Sequence, residues 1–217
     1  MIRLIFFAPI GAVLETCMKF RLGMMLVVCA MMVACSASRQ VPLNYQPGNP
    51  AEMSSIRVKT TVVDARPKVI SGQRPAWYIG RYAAGVGYTR NFSTEGKVAL
   101  AQLMHRDLLQ EIRALGMGNV RRTERARQLD VKILNWDFDG TSDNVFRYVL
   151  EVSVTNEAGR VLTSGKVSQT VPIEGNLLSG ARGGFEQVVP GLYSRVIASL
   201  IRQNNNVRNA LMGPSLR

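Results

Sequence analysis

The sequence has little that carries covalent or metal chemistry. Its three cysteines, Cys17, Cys29 and Cys35, all lie in the first 35 of 217 residues. Nothing after them can form an intrachain disulfide or a thiolate metal site. The single histidine, His105, rules out a multi-histidine metal set. Disulfide scaffolds, zinc modules and histidine-based triads therefore fall away. Acidic residues are also scarce, 15 against 27 Lys and Arg. No apolar run reaches the length of about 20 residues that a membrane-spanning helix needs. With 47% hydrophobic residues the chain is nevertheless too apolar to be disordered.

Two short apolar runs open the chain, Leu4–Leu14 and Leu22–Ala34, separated by Glu15, Lys19 and Arg21. A short apolar run after positive charge is the pattern of a secretory signal. The pattern starts well at Met18, so residues 1–17 can be a gene-start artefact. The run ends in Met32-Val33-Ala34-Cys35, which resembles the bacterial lipobox. There a small residue precedes a cysteine that is lipidated and becomes the new N-terminus. Ala34 fits the small position; Met32 stands where leucine is usual. The alternative is an ordinary secretory signal with a chance cysteine. Ser36, by resemblance to enterobacterial lipoproteins, implies sorting to the outer membrane. Acyl chains on Cys35 would contribute about 0.8 kcal/mol per buried CH₂, so two chains anchor stably. That lipid is the only cofactor expected.

Loss of residues 1–34 leaves 24 basic against 14 acidic residues, a net charge of +10. Nineteen of those 24 are arginine, whose guanidinium forks onto carboxylates and phosphates. A GC-rich codon bias explains the excess equally well. Residues 35–54, with Pro42, Pro47 and Pro50, read as the lipidated cysteine and a flexible tether reaching roughly 25 Å.

The rest divides into a single domain, residues 55–204, and a polar tail, 205–217. Ile56, Val58, Thr60 and Val62 alternate as a strand that ends at Asp64-Ala65-Arg66-Pro67. Val98, Ala101, Met104, Leu108, Ile112 and Leu115 recur at helical spacing, with Ser93 as N-cap and Gly116 as stop. Three strands follow: Leu129–Phe138, Phe146–Val154, and one marked by Val161, Val167 and Val171. Their short turns, Asp139–Asn144 and Asn156–Gly159, predict an antiparallel meander. Phe185, Val189, Leu192, Val196 and Leu200 share the face of a second helix, which Pro190 either opens or kinks. The expectation is an α+β domain of order β-α-β-β-β-α. An antiparallel sheet of about four strands carries both helices on one face.

Leu43-Asn44-Tyr45, Asp64-x-Arg66-Pro67, Ile79-Gly80 and Leu109-x-x-Glu111-Ile112-x-x-x-Gly116 resemble the YajG-type lipoproteins of Gram-negative bacteria. The resemblance spans residues 40–205. It implies an envelope lipoprotein with an α+β domain and assigns no catalytic residue. It does not imply the aromatic insert Trp77–Phe92 or the high positive charge.

That insert supplies the main candidate surface: Arg74, Trp77, Tyr78, Arg81, Tyr82, Tyr88 and Arg90, beside Phe92. Aromatics interleaved with arginine suit nucleic acid in a cytosolic protein. An export signal argues against that partner. In the envelope the same chemistry suits lipopolysaccharide phosphates, peptidoglycan glycan or an acidic protein surface. The competing reading is a loop whose aromatics pack on the core. Arg121, Arg122, Arg125 and Arg127 form a second basic run, best read as a solvated connection. Asp137, Asp139 and Asp143 in WDFDGTSDN miss the calcium-loop spacing and read as hairpin residues. His105 lies at a helix-stripe margin with no acid–base partner at a telling spacing. Gly85-Val86-Gly87, Gly180, Gly183 and Gly184 match no phosphate-cradle pattern. The expected role is a non-enzymatic binding or assembly module anchored in the outer membrane. The alternatives are a lipopolysaccharide- or lipid-transport accessory and a cell-wall enzyme or its activator.

Overall fold

The computed structural model describes residues 38–49, 56–83, 88–117, 125–141, 144–173 and 184–213. Its strands are β1 (Arg39–Val41), β2 (Ile56–Asp64), β3 (Tyr78–Ala83), β4 (Thr89–Thr94), β5 (Arg125–Gly140), β6 (Val145–Asn156) and β7 (Val161–Pro172). The helices are α1 (Pro67–Ile70), α2 (Leu100–Ala114), α3 (Gly184–Ala198) and α4 (Asn205–Met212). The expected α+β class holds, but the sheet has seven strands where about four were expected.

β5, β6 and β7 form the expected antiparallel meander. On β6, Phe146, Tyr148, Leu150, Val152 and Val154 are buried while the alternate residues stay half-exposed. On β5 the phase of burial changes midway. Leu129, Val131 and Ile133 are buried at odd positions, Trp136 and Phe138 at even ones. The register shift between Ile133 and Asn135 accounts for this. A bulge adds one residue and returns the next apolar side chains to the same face. Trp136, Phe138 and Phe146 then form one aromatic cluster, with Phe138 stacked on Phe146 at 4.1 Å between ring centres. Each such burial contributes about 1.5–3 kcal/mol. Tyr193 of α3 meets Trp136 edge-on at 5.9 Å, so α3 lies on this face.

The other pairings correct the expected all-antiparallel sheet. β2 runs parallel to the first half of β5, Ile56 opposite Arg125 through Asp64 opposite Ile133. β3 runs parallel to its second half, Gly80 opposite Phe138. β1 runs parallel to β4. A parallel pair needs a long crossover, and α2 supplies it between β2 and β5. The short turns of the meander revealed nothing about such distant pairings.

The stretch 72–92 is an antiparallel strand pair, β3 and β4. Its strands are six residues each and half polar, so no alternation announced them. Ser93 is no helix cap. It is buried in β4, and the chain breaks at Gly96 and Lys97, both at positive φ, before α2 starts at Leu100.

The tether and the tail also need correction. Val41, Leu43 and Tyr45 are buried, and β1 pairs with β4. Three apolar side chains at period two outweigh the nearby prolines. At the other end, Asn204 caps α4 by accepting from the Val207 amide, and Val207 and Leu211 are buried. The folded unit therefore begins at Ser38 and runs past residue 205. Cys35, the rest of residues 1–37, and residues 50–54 lie outside the described residues.

Candidate functional site

The site forms where β2 gives way to β3 along the same edge of β5. Asp64 ends β2, and Arg66 turns back beneath it. Arg66 is buried, 5% exposed, and its guanidinium is the clamp. It forks onto both Asp64 carboxylate oxygens at 2.8 and 2.7 Å. It also donates to the carbonyls of Tyr78 at 2.5 Å and Ala76 at 3.1 Å. The Ala65 amide meets the Ile133 carbonyl at 3.0 Å, just before the β5 bulge. The Asp-x-Arg-Pro motif thus joins two strands across the bulge. Only arginine offers this fork of donors.

Beside the clamp lies a cleft of about 270 Å³. Arg66, Lys68, Arg74, Tyr78, Arg81 and Asp137 supply its polar lining; Pro67, Val69, Leu134 and Trp136 supply apolar wall. The Arg74 guanidinium sits 4.6 Å over the Tyr78 ring and donates to Asn91 Oδ1 at 3.1 Å. The Tyr78 hydroxyl lies 3.4 Å from Asp137 Oδ1. Arg81 pairs with Asp139 at 3.0 Å. Asp139 also accepts from the Thr141 amide at 3.0 Å and hydroxyl at 2.5 Å.

Two carboxylates on one strand face are thereby made unlike. Burial, reinforced by the Asp139 charge, holds the Asp137 carboxyl above its usual range. Burial acts the same way on Asp139, but the Thr141 and Arg81 hydrogen bonds outweigh it and bring it down to about 2. The Tyr78 hydroxyl is pushed up to about 12 by burial and by Asp137. The cleft therefore offers a phenol donor, a carboxyl of raised proton affinity and two partly engaged guanidinium groups. No Ser, Thr, Cys or His side chain lines it.

Of the seven candidate residues, Arg74, Tyr78 and Arg81 meet here. Tyr82 instead stacks on Phe92 at 4.5 Å and serves the core. Trp77 is half-buried, and its carbonyl accepts from the Thr94 amide. Tyr88 and Arg90 are exposed on or beside β4, away from the cleft lining. Sequence reasoning missed Asp137, Arg66 and Lys68. Asp137 and Asp139 alternate with Trp136 and Phe138, and that period-two pattern marks a polar face behind an aromatic one.

The remaining motifs have ordinary places. Arg127 donates to the Ala210 carbonyl at 3.3 Å, and His105 Nε2 lies 3.0 Å from the Thr60 carbonyl. Arg121, Arg122, Asp143, Gly85, Gly180 and Gly183 lie outside the described residues. Among the described residues no group of three His, Cys, Asp or Glu side chains gathers as a metal site.

No protein-family model and no curated protein matches the chain. Among solved structures it is similar to a Xanthomonas campestris protein of the DUF330 family model. Identity is 10% over 73% of this chain and 92% of that one, with a TM-score of 0.47. An uncharacterized protein gives 12% identity over 76% and 99%, with a TM-score of 0.46. The PelC dodecamer of Paraburkholderia phytofirmans gives 13% over 69% and 96%, with a TM-score of 0.34.

Proposed function

We propose that this chain is a lipid-anchored lipoprotein on the periplasmic face of the outer membrane. Its role is that of a non-enzymatic binding module, and the cleft at the β2–β3 junction is its recognition surface. The observation that carries the reading is the make-up of the cleft, with both signs of charge, a phenol and an apolar wall but no Ser, Thr, Cys or His side chain. A hydrolytic enzyme would need a base-activated nucleophile or a second available carboxylate beside Asp137. Asp139 is already spent on Arg81 and Thr141. Arg81 and Arg74 are likewise engaged, which weakens the cleft as a clamp for lipopolysaccharide phosphates. Paired donors and acceptors suit a peptide segment of an envelope protein or a glycan.

The short leader adds to this reading. Two residues, Ser36 and Ala37, separate Cys35 from the start of the folded unit at Ser38, three steps along the chain. At about 3.5 Å per step these three steps reach at most roughly 10 Å. An acylated Cys35 would therefore hold the domain close to the membrane, not at the end of a long tether.

The test is a photo-crosslinking side chain at the exposed Lys68 position in intact cells. A crosslinked envelope component that is lost on Asp137→Asn supports the reading. Crosslinking indifferent to Asp137→Asn, or none at all, overturns it. The intact mass of the membrane-extracted protein checks the anchor separately.

A further inference from the structure

We infer that the open end of the β3–β4 strand pair lies against the anionic headgroups of the membrane that holds the acyl chains. The inference rests on the lipid anchor proposed above and adds the face that the domain turns to the bilayer. The register of the strands carries it. Arg39 of β1 is opposite Phe92 of β4, Phe92 is opposite Gly80 of β3, and Gly80 is opposite Phe138 of β5. The folded unit thus starts level with Phe138, close to Gly140 where β5 ends and to Ala83 and Thr89 at the open end of β3 and β4. Arg125, at the other end of β5, lies about 40 Å away at about 3.3 Å per residue. A leader reaching at most roughly 10 Å cannot carry acyl chains from Ser38 to that far end. It can carry them to the near one.

The side chains at the near end suit a headgroup layer. Tyr88, just before β4, is 74% exposed, more than any other large hydrophobic residue described. Arg90 is exposed as well. It stands two residues from Phe92, which is opposite Arg39, so Arg39 and Arg90 leave the sheet on one face, about 8 Å apart at the backbone. Of the described carboxylates Asp139 is nearest this end, and it is buried on Arg81. A phenol ring settles at headgroup depth, with its ring among the acyl carbons and its hydroxyl in water. Guanidinium groups beside it meet the phosphate oxygens of anionic lipid. An acidic protein would also satisfy the arginines, but it would not explain why the leader ends at the same place. The cleft follows the same geometry: Asp137 is three residues from the end of β5, so the cleft opens about 10 Å from the headgroups.

The experiment expresses the full chain, extracts it from membranes and places it in nanodiscs of phosphatidylcholine and phosphatidylglycerol. Loss of Cys17 and Cys29 with the signal and acylation of Cys35 leave no other thiol. A fluorophore can therefore sit at Thr89→Cys or, at the far end, at Arg160→Cys. Lipid carrying a nitroxide on its headgroup quenches fluorophores that touch the surface. Quenching should be several-fold stronger at Thr89 than at Arg160. It should fall roughly two-fold or more in discs of phosphatidylcholine alone and in the Tyr88→Ser/Arg90→Ser variant, and persist in the Arg208→Ser control. Both replaced side chains are exposed, so the fold should survive the change. An acylated chain that is quenched equally at the two labels overturns the orientation alone. Quenching unchanged by the variant or by the loss of anionic lipid overturns the contact. An intact mass without acyl chains overturns the anchor, and the orientation with it.

Discussion

Tyr193 of α3 donates its hydroxyl proton to Asp107 of α2 at 2.7 Å, and both residues are fully buried. Four residues on, the equally buried Glu111 accepts from Tyr45 of the N-terminal segment and from Arg202 beyond α3. Burial, then Asp107, pushes the Tyr193 hydroxyl well above its ordinary range and keeps it a donor. Arg106 closes the other side of Asp107 at 2.7 Å. Two inward carboxylates on α2 thus fasten both ends of the folded unit to one helix.

Tyr193→Phe should cost about 1–2 kcal/mol, the penalty of a buried acceptor deprived of a donor. Glu111→Ala removes the partner of Arg202 and Tyr45 together and should cost about 3–5 kcal/mol. Urea denaturation at neutral pH checks both. A Glu111→Ala cost below that of Tyr193→Phe would contradict the network.

Arg66→Ala takes the guanidinium from the Asp64 carboxylate, which keeps only the amide of residue 66 at 3.3 Å, and from the Tyr78 and Ala76 carbonyls. It should destabilise by about 3–5 kcal/mol. Arg66→Lys keeps the charge but loses the fork, so it should recover only a minor share. Thermal melts of both variants decide this, and full rescue by lysine would show that charge alone suffices.

Gly80→Ala should disrupt the β3–β5 pairing. A Cβ there would lie 2.3 Å from the Phe138 carbonyl oxygen, which is backbone and cannot swing away. Hydrogen exchange should rise at Arg81 and Tyr82 and stay low along β6. Unchanged exchange in β3 would refute the close approach.

Leu43→Ala should cost about 2–5 kcal/mol, as for any filled core position. A flexible tether predicts no cost. Chemical denaturation separates the two directly.

The cleft carboxylates should give opposite pH signatures. Asp139 has a depressed folded pKa of about 2, so its contribution is complete above the unfolded value near 4 and is lost as pH falls toward 2. Asp139→Asn should therefore destabilise at pH 7 and converge with the parent only as the pH reaches about 2. Asp137 has a raised pKa, so its ionised form costs stability above the unfolded value. Asp137→Asn should be neutral to stabilising at pH 7, and that advantage should vanish below about pH 4. Melting midpoints between pH 2 and 8 test both, and matching profiles for the two variants would refute the assignment.

The sequence by itself determined the strongest local patterns. The β6 alternation, the α2 stripe from Met104 to Ile112 and the turn at Asn156–Gly159 are periodicities that act within a few residues. Burial of each follows from the side-chain order alone. Half of the candidate surface was legible in the same way, as a cluster of Arg and aromatic residues. Tertiary structure decided the rest. Whether β2 pairs parallel or antiparallel, where the β5 bulge falls, and which carboxylates Arg81 and Arg202 meet depend on distant groups, 58 residues away for Arg81 and 91 for Arg202. The 36–54 stretch shows the reason clearly. Its prolines act on their own backbone, whereas Val41, Leu43 and Tyr45 gain their burial from partners that the chain supplies only much later. Local rules register the first effect and are blind to the second. The same blindness hid Asp137, whose altered proton affinity comes from burial and from Asp139 on a face that exists only once β3 and β5 have met.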